Sequence, residues 1–265
     1  MPTPAHISFD EALAAFAPIT LEEMDSIKLM NRIDAKYVTH EAMLLQILGK
    51  AAAAGYRVLV SEGCRISPYD SIYYDTAGLR MFYDHHNRRL VRQKVRTRSY
   101  VNSGDSFLEI KRKNNHGRTK KKRIGIPSGA LMDFSAIPEA CDYLAAHSWF
   151  TAEELSPSLE TAFYRITLVN PAKTERLTID TRLDFKNFRS GAETTLQNAV
   201  IIELKQDGRA ESQMKRILLD LRVKPLRVSK YCIALTLTDR TAKTGRFKVK
   251  VRAIEKIIGN KLVTI

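Results

Sequence analysis

The sequence predicts an α+β chain built on a sheet of eight or nine strands with helices packed against it. Three observations carry that prediction. Apolar and polar residues alternate with a period of two in segment after segment, as a strand with two unlike faces requires. The polar faces of these segments are almost exclusively Arg, Lys, Glu and Asp. Helical stretches stand between the alternating segments without a long linker or an internal repeat, and such helices need an apolar sheet face to cover.

Residues 9–30 read as one or two short helices broken near Pro18, with Leu21, Met24, Ile27 and Lys28 at helical spacing. The strand "NRIDAKYV" sets Arg32, Asp34 and Lys36 against Ile33, Ala35 and Tyr37. A helix is expected over 39–54, with Thr39 as its N-cap and a stop near Gly55. "SIYYDT" and "LRMFYD" read as strands and "DHHN" at 84–87 as a turn. "VRQKVRTRSY" gathers Arg92, Lys94, Arg96, Arg98 and Tyr100 on one face. "FLEIKRK" then sets Glu109, Lys111 and Lys113 opposite Leu108 and Ile110, and crosses a Gly117 turn into "KKRIGI". After a helix at 137–148 come three strands: "TAFYRITLV"; "RLTIDTR", with Arg176, Thr178, Asp180 and Arg182 on one face; and "VIIELK", with Ile201, Glu203 and Lys205 on one face. Helices at 209–223 and 229–238 complete the pattern, and a basic tail, 246–265, has no assigned role.

Two shapes accommodate so many charged strand faces. One is an open sheet with a large solvated face; the other is a closed barrel with charges inside and apolar residues outside, under the helices. The predicted helices lean toward the barrel, because they need the apolar face.

Composition narrows the function classes. The chain has 265 residues, 44% hydrophobic, with no apolar run near the length of a bilayer span. Its first residues lack a basic stretch followed by an apolar one, so the cytoplasm is the expected location. Cys64, Cys141 and Cys232 lie far apart and no histidine stands at zinc-ligand spacing, which argues against a disulfide framework or a structural zinc. The net charge is +14, and residues 88–123 hold fourteen Lys and Arg against Asp105 and Glu109. Charge focused in this way attracts polyanions.

Cations converging in a closed cavity repel one another unless water, carboxylates or a polyanionic ligand sits among them. A triphosphate fits such a space, whereas a nucleic-acid duplex cannot enter a narrow barrel, so no specific nucleic-acid partner is expected. Arg96 and Arg98, two apart on one strand, can fork one phosphate chain, and Lys111 and Lys113 can do likewise. Carboxylates beside a phosphate site call for a divalent metal, with Glu203, Glu109, Glu160 and Asp180 as candidates. Glu109 and Glu203 read equally well as ion-pair partners of neighbouring lysines. "RTKKKR" alone reads as a solvated loop, and Trp149 as a packing residue.

The ordered motifs "RIDAKYV", "YYDT", "VRTRSY", "FLEIKRK", "KKRIGI", "ETAFYR", "RLTID", "VIIELK" and "VSKY" resemble the VTC domain, the catalytic domain of polyphosphate polymerases, itself similar to the CYTH and triphosphate tunnel metalloenzyme group. The likeness covers about residues 28–240 of a single domain, 1–265, leaving a short N-terminal helical segment and the basic tail. It implies an antiparallel eight-stranded β tunnel with a charged interior and helices outside. It also implies phosphate contacts at Lys36, Arg96, Arg98, Lys111, Arg123, Arg165, Arg176 and Lys230, with Lys113 beside them, and Glu203 as ligand of Mn²⁺ or Mg²⁺. All but Arg165 and Lys230 lie on faces that alternation already selects.

The activity so implied is transfer of a phosphoryl group from ATP or a similar nucleotide to phosphate or a polyphosphate end. The alternatives are a triphosphatase, with Glu109 or Glu160 activating water, and a non-enzymatic polyanion-binding module. The phosphate-sensing domain and transmembrane segments of the eukaryotic enzymes have no counterpart, so export through a membrane is not expected. The ExExK signature of tunnel triphosphatases is replaced by Arg32-x-Asp34-x-Lys36, a departure that leans toward the polymerase branch.

Overall fold

The computed structural model describes residues 8–25, 27, 32–208 and 210–262; Lys28 and the other residues of 28–31 fall outside them. The elements in chain order are α1 (Phe9–Ala14), β1 (Ala17–Ile19), α2 (Leu21–Asp25), β2 (Ile33–His40), α3 (Glu41–Ala53), β3 (Arg57–Leu59), β4 (Ser67–Asp75), α4 (Arg80–His86), β5 (Arg92–Tyr100), β6 (Asp105–Lys113), β7 (Thr119–Gly125), α5 (Pro138–His147), β8 (Ser156–Val169), β9 (Glu175–Asn187), β10 (Glu193–Leu196), β11 (Ala199–Gln206), α6 (Gln213–Asp220), α7 (Lys230–Thr238) and α8 (Gly245–Ile258).

Eight strands form one path, β2-β11-β9-β8-β4-β5-β6-β7, antiparallel at every step. Short β1, β3 and β10 attach at its sides. Among the described residues no backbone pairing joins β7 back to β2. The sheet is nevertheless rolled. Lys230 Nζ meets Asp180 on β9, while the adjacent Ser229 Oγ accepts from Lys94 Nζ on β5 at 2.7 Å. Those strands stand three places apart, about 14 Å in a flat sheet.

Period two sorts the strand residues into walls. Tyr37, Val200, Ile202, Leu204, Leu177, Ile179, Ile166 and Leu168 form an outer apolar face under α1, α3 and α6. Ile72, Tyr74, Val95, Leu108 and Ile110 form a second outer face under α5 and the segment around Phe134. The inner wall therefore carries the charged alternates.

Local chemistry sets the helix starts. Ser8 and Glu11 form a reciprocal capping box at α1. α3 is capped by His40, whose Nδ1 accepts from Met43 N at 3.3 Å, one residue beyond the expected Thr39. Ser212 and Ser229 cap α6 and α7. The β6–β7 hairpin turns where Asn114 Oδ1 accepts from Arg118 N at 2.9 Å and Gly117 takes φ +76°.

The structure departs from sequence expectation in several places. "LRMFYD" and "DHHN" form α4 rather than a strand and a turn, because Asp75 accepts from Met81 N and Phe82 N, both at 2.9 Å, and so holds the first turn of that helix. α6 is shorter than 209–223, and the basic tail forms α8. Helix α7 does not cover the outer face: it is buried from Tyr231 to Thr238 and shares one apolar cluster with inner-wall Val38, Ile201, Tyr69, Tyr73 and Phe163. It therefore fills one end of the tunnel, backed by Phe82 of α4 and Phe247 of α8. Trp149 is 43% exposed, with the Arg112 guanidinium 4.9 Å from its ring, rather than packed in a core.

Candidate phosphate-binding tunnel

Strand register fixes which charges look inward together. Glu203 of β11 lies opposite Lys36 of β2 and Thr178 of β9, and Arg165 of β8 lies opposite Asp180 of β9. Across the path, Arg96 of β5 is level with Tyr73 of β4 and Glu109 of β6, and Lys94 with Lys111. Arg98 and Arg165 reach the same aromatic floor. The Arg98 guanidinium lies 5.5 Å from the Tyr69 ring and 5.7 Å from Phe163, and that of Arg165 lies 4.8 and 5.1 Å from the same rings. Lys230, entering from the first turn of α7, sits 3.7 Å over Phe163.

The inner carboxylates differ in how tightly they are held. Glu109 is 1% exposed and accepts from Arg96 Nε and Nη2 at 2.8 and 2.5 Å and from Lys121 Nζ at 2.8 Å. Burial works against its charge, but Arg96, Arg98 and Lys121 hold its carboxyl well below the usual range. Asp180 takes a two-bond fork from Arg165, at 2.7 and 2.8 Å, and a bond from Lys230. It too is pushed down, against burial, by those two cations. Glu203 is held more loosely, with Lys36 Nζ at 3.4 Å and Lys205 Nζ at 3.7 Å. Its carboxyl is also lowered against burial, by Lys36, Lys205 and Lys111. Lys111 stands on β6, five strand places from β11, so its field on Glu203 acts across the lumen.

Several cations lack a matching carboxylate. Arg98 donates from Nε to Ser71 Oγ at 2.9 Å, a neutral partner. Lys111 has no hydrogen-bond or ion-pair partner among the described residues, and Arg96 and burial lower its ammonium well below the ordinary value. Burial brings Lys205 and Lys230 to about 8 despite their carboxylate partners. Cations depressed in this way are waiting for anionic charge.

The sequence-selected residues fall as follows. Lys36, Arg96, Arg98, Lys111, Arg165 and Lys230 come together around the lumen. Arg176 lies further along β9, opposite Lys205, and Lys113 lies at the end of β6, opposite Arg92. Arg123 is on the inward side of β7, opposite Glu109, but exposed on this edge strand, its guanidinium 4.3 Å over Phe107. Glu160 does not join them: it pairs with Ile72 and Lys186 on the outer side, where burial and Asp70 raise its carboxyl. Arg182 also leaves the charged face, because the β8–β9 register shifts at a bulge and Arg182 takes φ +48°.

Alternation placed Lys94 and Lys205 on charged faces without assigning them to the site, and it did not single out Lys121 or Tyr73. Each carried a signal. Lys94 and Lys205 sit two residues from selected charges, Lys121 faces Lys111 across the hairpin, and Tyr73 faces Arg96 across β4 and β5.

A divalent cation fits Glu203 better than the other inner carboxylates. Glu109 and Asp180 have their lone pairs engaged by guanidinium forks, whereas Glu203 contacts its lysines beyond ordinary hydrogen-bond distance. No group of three His, Cys, Asp or Glu ligands occurs among the described residues. A single loosely held carboxylate matches the donor set of an ion that takes few protein ligands and completes its shell with phosphate oxygens and water.

The model of the VTC domain family matches residues 31–238. Among curated proteins no sequence matches the chain. Two solved structures share the fold at low identity. A protein from Bacillus halodurans assigned provisionally as an adenylate cyclase superposes with a TM-score of 0.50 at 13% identity, covering 76% of this chain and 96% of its own. A provisionally assigned adenylyl cyclase from Hippeastrum, described as having a dominant triphosphatase activity, gives 0.51 at 14% identity, covering 76% and 94%. No described helix is long and apolar enough to cross a membrane.

Proposed function

Because the chain belongs to the VTC domain family, we propose that its tunnel binds the triphosphate of ATP or a similar nucleotide and transfers the terminal phosphoryl group to phosphate or a growing polyphosphate. The observation that carries the proposal is the surplus of cations on the inner wall. Arg98 and Lys111 have no carboxylate of their own, and Glu109 and Asp180 are each shared between two cations. A bound phosphate chain supplies the missing negative charge.

Phosphoryl transfer asks a protein mainly to align donor and acceptor and to neutralise equatorial oxygens. Arg96 and Arg98 grip the chain from β5, Arg165 from β8 beside them, Lys230 from α7 and Lys111 from β6; Lys36, Arg176, Lys113 and Arg123 extend the cationic lining. Glu203 is the residue that would hold Mn²⁺ or Mg²⁺, and such an ion would supply charge neutralisation to the phosphate chain. No covalent intermediate on the protein is needed, since the acceptor phosphate is itself the nucleophile.

Hydrolysis is the second reading, favoured by the triphosphatase activity of the Hippeastrum protein. Its candidate water-activating carboxylates are Glu109 and Glu160. Glu160 faces outward, and Glu109 is committed to Arg96 and Lys121 with its basicity depressed, a poor general base. That geometry favours a phosphate acceptor over water.

Incubation of the protein with ATP and Mn²⁺ or Mg²⁺ distinguishes the readings. Chain growth supports the polymerase and stoichiometric free phosphate the hydrolase. Tight binding without turnover supports a polyanion-binding module.

A further inference from the structure

The motif "SIYYDT" has no part in the function proposed above, and its two tyrosines face opposite ways. Tyr74 points outward, its hydroxyl donating to Leu131 O at 2.7 Å. Tyr73 points into the tunnel and is 7% exposed. Its ring stacks on Tyr231 of α7, with centroids 5.1 Å apart and 20° between planes. Tyr231 is fixed in turn by its hydroxyl, which donates to Asp75 Oδ2 at 2.6 Å. The phenol of Tyr73 is thus positioned by packing that needs no ligand.

Its oxygen accepts from Arg96 Nη1 at 3.1 Å. Among the described residues nothing accepts its proton. Buried hydroxyls ordinarily find an acceptor, so a donor left unpaired beside two arginines of an anion site asks for one. A phosphate oxygen gripped by Arg96 supplies it.

We infer that the Tyr73 hydroxyl donates a hydrogen bond to the phosphate chain held by Arg96 and Arg98, which makes Tyr73 a further phosphate-contacting residue. The inference rests on the phosphate-tunnel reading above. The charged and titratable groups facing Tyr73 are Arg96, Arg98 and Lys94 from β5 and Lys230 and Tyr231 from α7; Glu109 of β6 and Asp75 of β4 are engaged by Arg96 and Tyr231. Burial raises the phenol's pKa, but Arg96, Arg98, Lys94 and Lys230 more than offset it and bring it to about 8. In the ligand-free tunnel the phenol therefore ionises at mildly alkaline pH, and a bound polyanion restores its proton. Anion binding is coupled to one proton at this residue, and ionised Tyr73 opposes binding twice: it repels phosphate and it has lost its donor.

The test is tripolyphosphate binding by titration calorimetry, with wild type and Tyr73→Phe, at about pH 7 and about pH 9. Phenylalanine keeps the stacked ring and removes only the hydroxyl. The variant is expected to bind roughly tenfold more weakly at the lower pH, with the gap shrinking toward nothing at the higher. In wild type alone, a tyrosinate absorbance band should appear below about pH 9, where ordinary tyrosines are neutral, and tripolyphosphate should remove it. Wild type that does not bind tripolyphosphate overturns the tunnel reading and this inference together. Binding by wild type with an equal affinity in Tyr73→Phe at both pH values, or a tyrosinate band that ignores the ligand, overturns the role of Tyr73 alone. The absorbance measurement needs no variant, so it decides the matter even if Tyr73→Phe fails to fold.

Discussion

Asp180 is the carboxylate whose removal exposes most about the tunnel. It is 4% exposed and bound by the Arg165 fork at 2.7 and 2.8 Å and by Lys230. Asp180→Asn keeps the shape and deletes the charge, leaving two cations facing each other over the Phe163 ring. Breaking a buried pair from one side costs about 3–5 kcal/mol. The lower end applies here, because Lys230, already at about 8 through burial, sheds its proton once the carboxylate is gone. A loss of about 3 kcal/mol lowers Tm by roughly 6–12 °C in a domain of this size. The unfolded lysine still binds its proton up to about pH 10.4. Where the folded one does not, stability falls with falling pH, so the deficit grows as the buffer is made more acidic. Tripolyphosphate at about a hundred times its Kd stabilises any binder by about 2.7 kcal/mol. At equal ligand concentration it should stabilise Asp180→Asn more than wild type, because it replaces the missing charge. Thermal and urea melts with and without tripolyphosphate read both effects. A variant as stable as wild type, or one that tripolyphosphate helps no more than wild type, refutes the idea that Asp180 stands in for substrate charge.

Three further outcomes follow from the same geometry. Glu203→Gln should lower metal-dependent turnover by roughly a hundredfold or more while leaving metal-free tripolyphosphate binding intact; unchanged activity would remove Glu203 from the metal site. Binding of tripolyphosphate at about pH 8 should take up protons, since Lys205 and Lys230 sit at about 8 in the ligand-free protein and a polyanion raises them; equal calorimetric enthalpies in buffers of different ionisation heat would contradict this. Tyr231→Phe removes the hydroxyl that donates to Asp75 at 2.6 Å and should cost about 1–3 kcal/mol in urea denaturation, loosening α7 in the tunnel end; hydrogen exchange in α7 as slow as in wild type would argue against that anchor.

Much of the wall was legible in the chain because strand periodicity converts sequence parity directly into sidedness. Lys36, Arg96, Arg98, Lys111 and Glu203 all lie on the inner face that alternation gave them. Parity failed where the backbone broke it, at the bulge that turns Arg182 outward, and where no strand carried the residue, as with Lys230 on α7. A helix at 229–238 was legible in the sequence, but not which side of the sheet would receive it.

The sequence by itself determined the eight strands of the main path, the two-sided character of the sheet and the concentration of positive charge along β5, β6 and β7, because these depend on neighbours one to four residues apart. Tertiary structure alone decided what each carboxylate touches. Glu109, Glu160, Asp180 and Glu203 carry the same chemical group, and the strand pattern offers all four alike as metal candidates. Strand register set Glu109 and Asp180 beside guanidinium groups, turned Glu160 outside and left Glu203 loosely paired. A carboxylate's chemistry is set by the charges within a few ångströms of it, and those partners arrive by strand pairing and tertiary packing, from 12 residues away for Lys121 at Glu109 to 50 for Lys230 at Asp180.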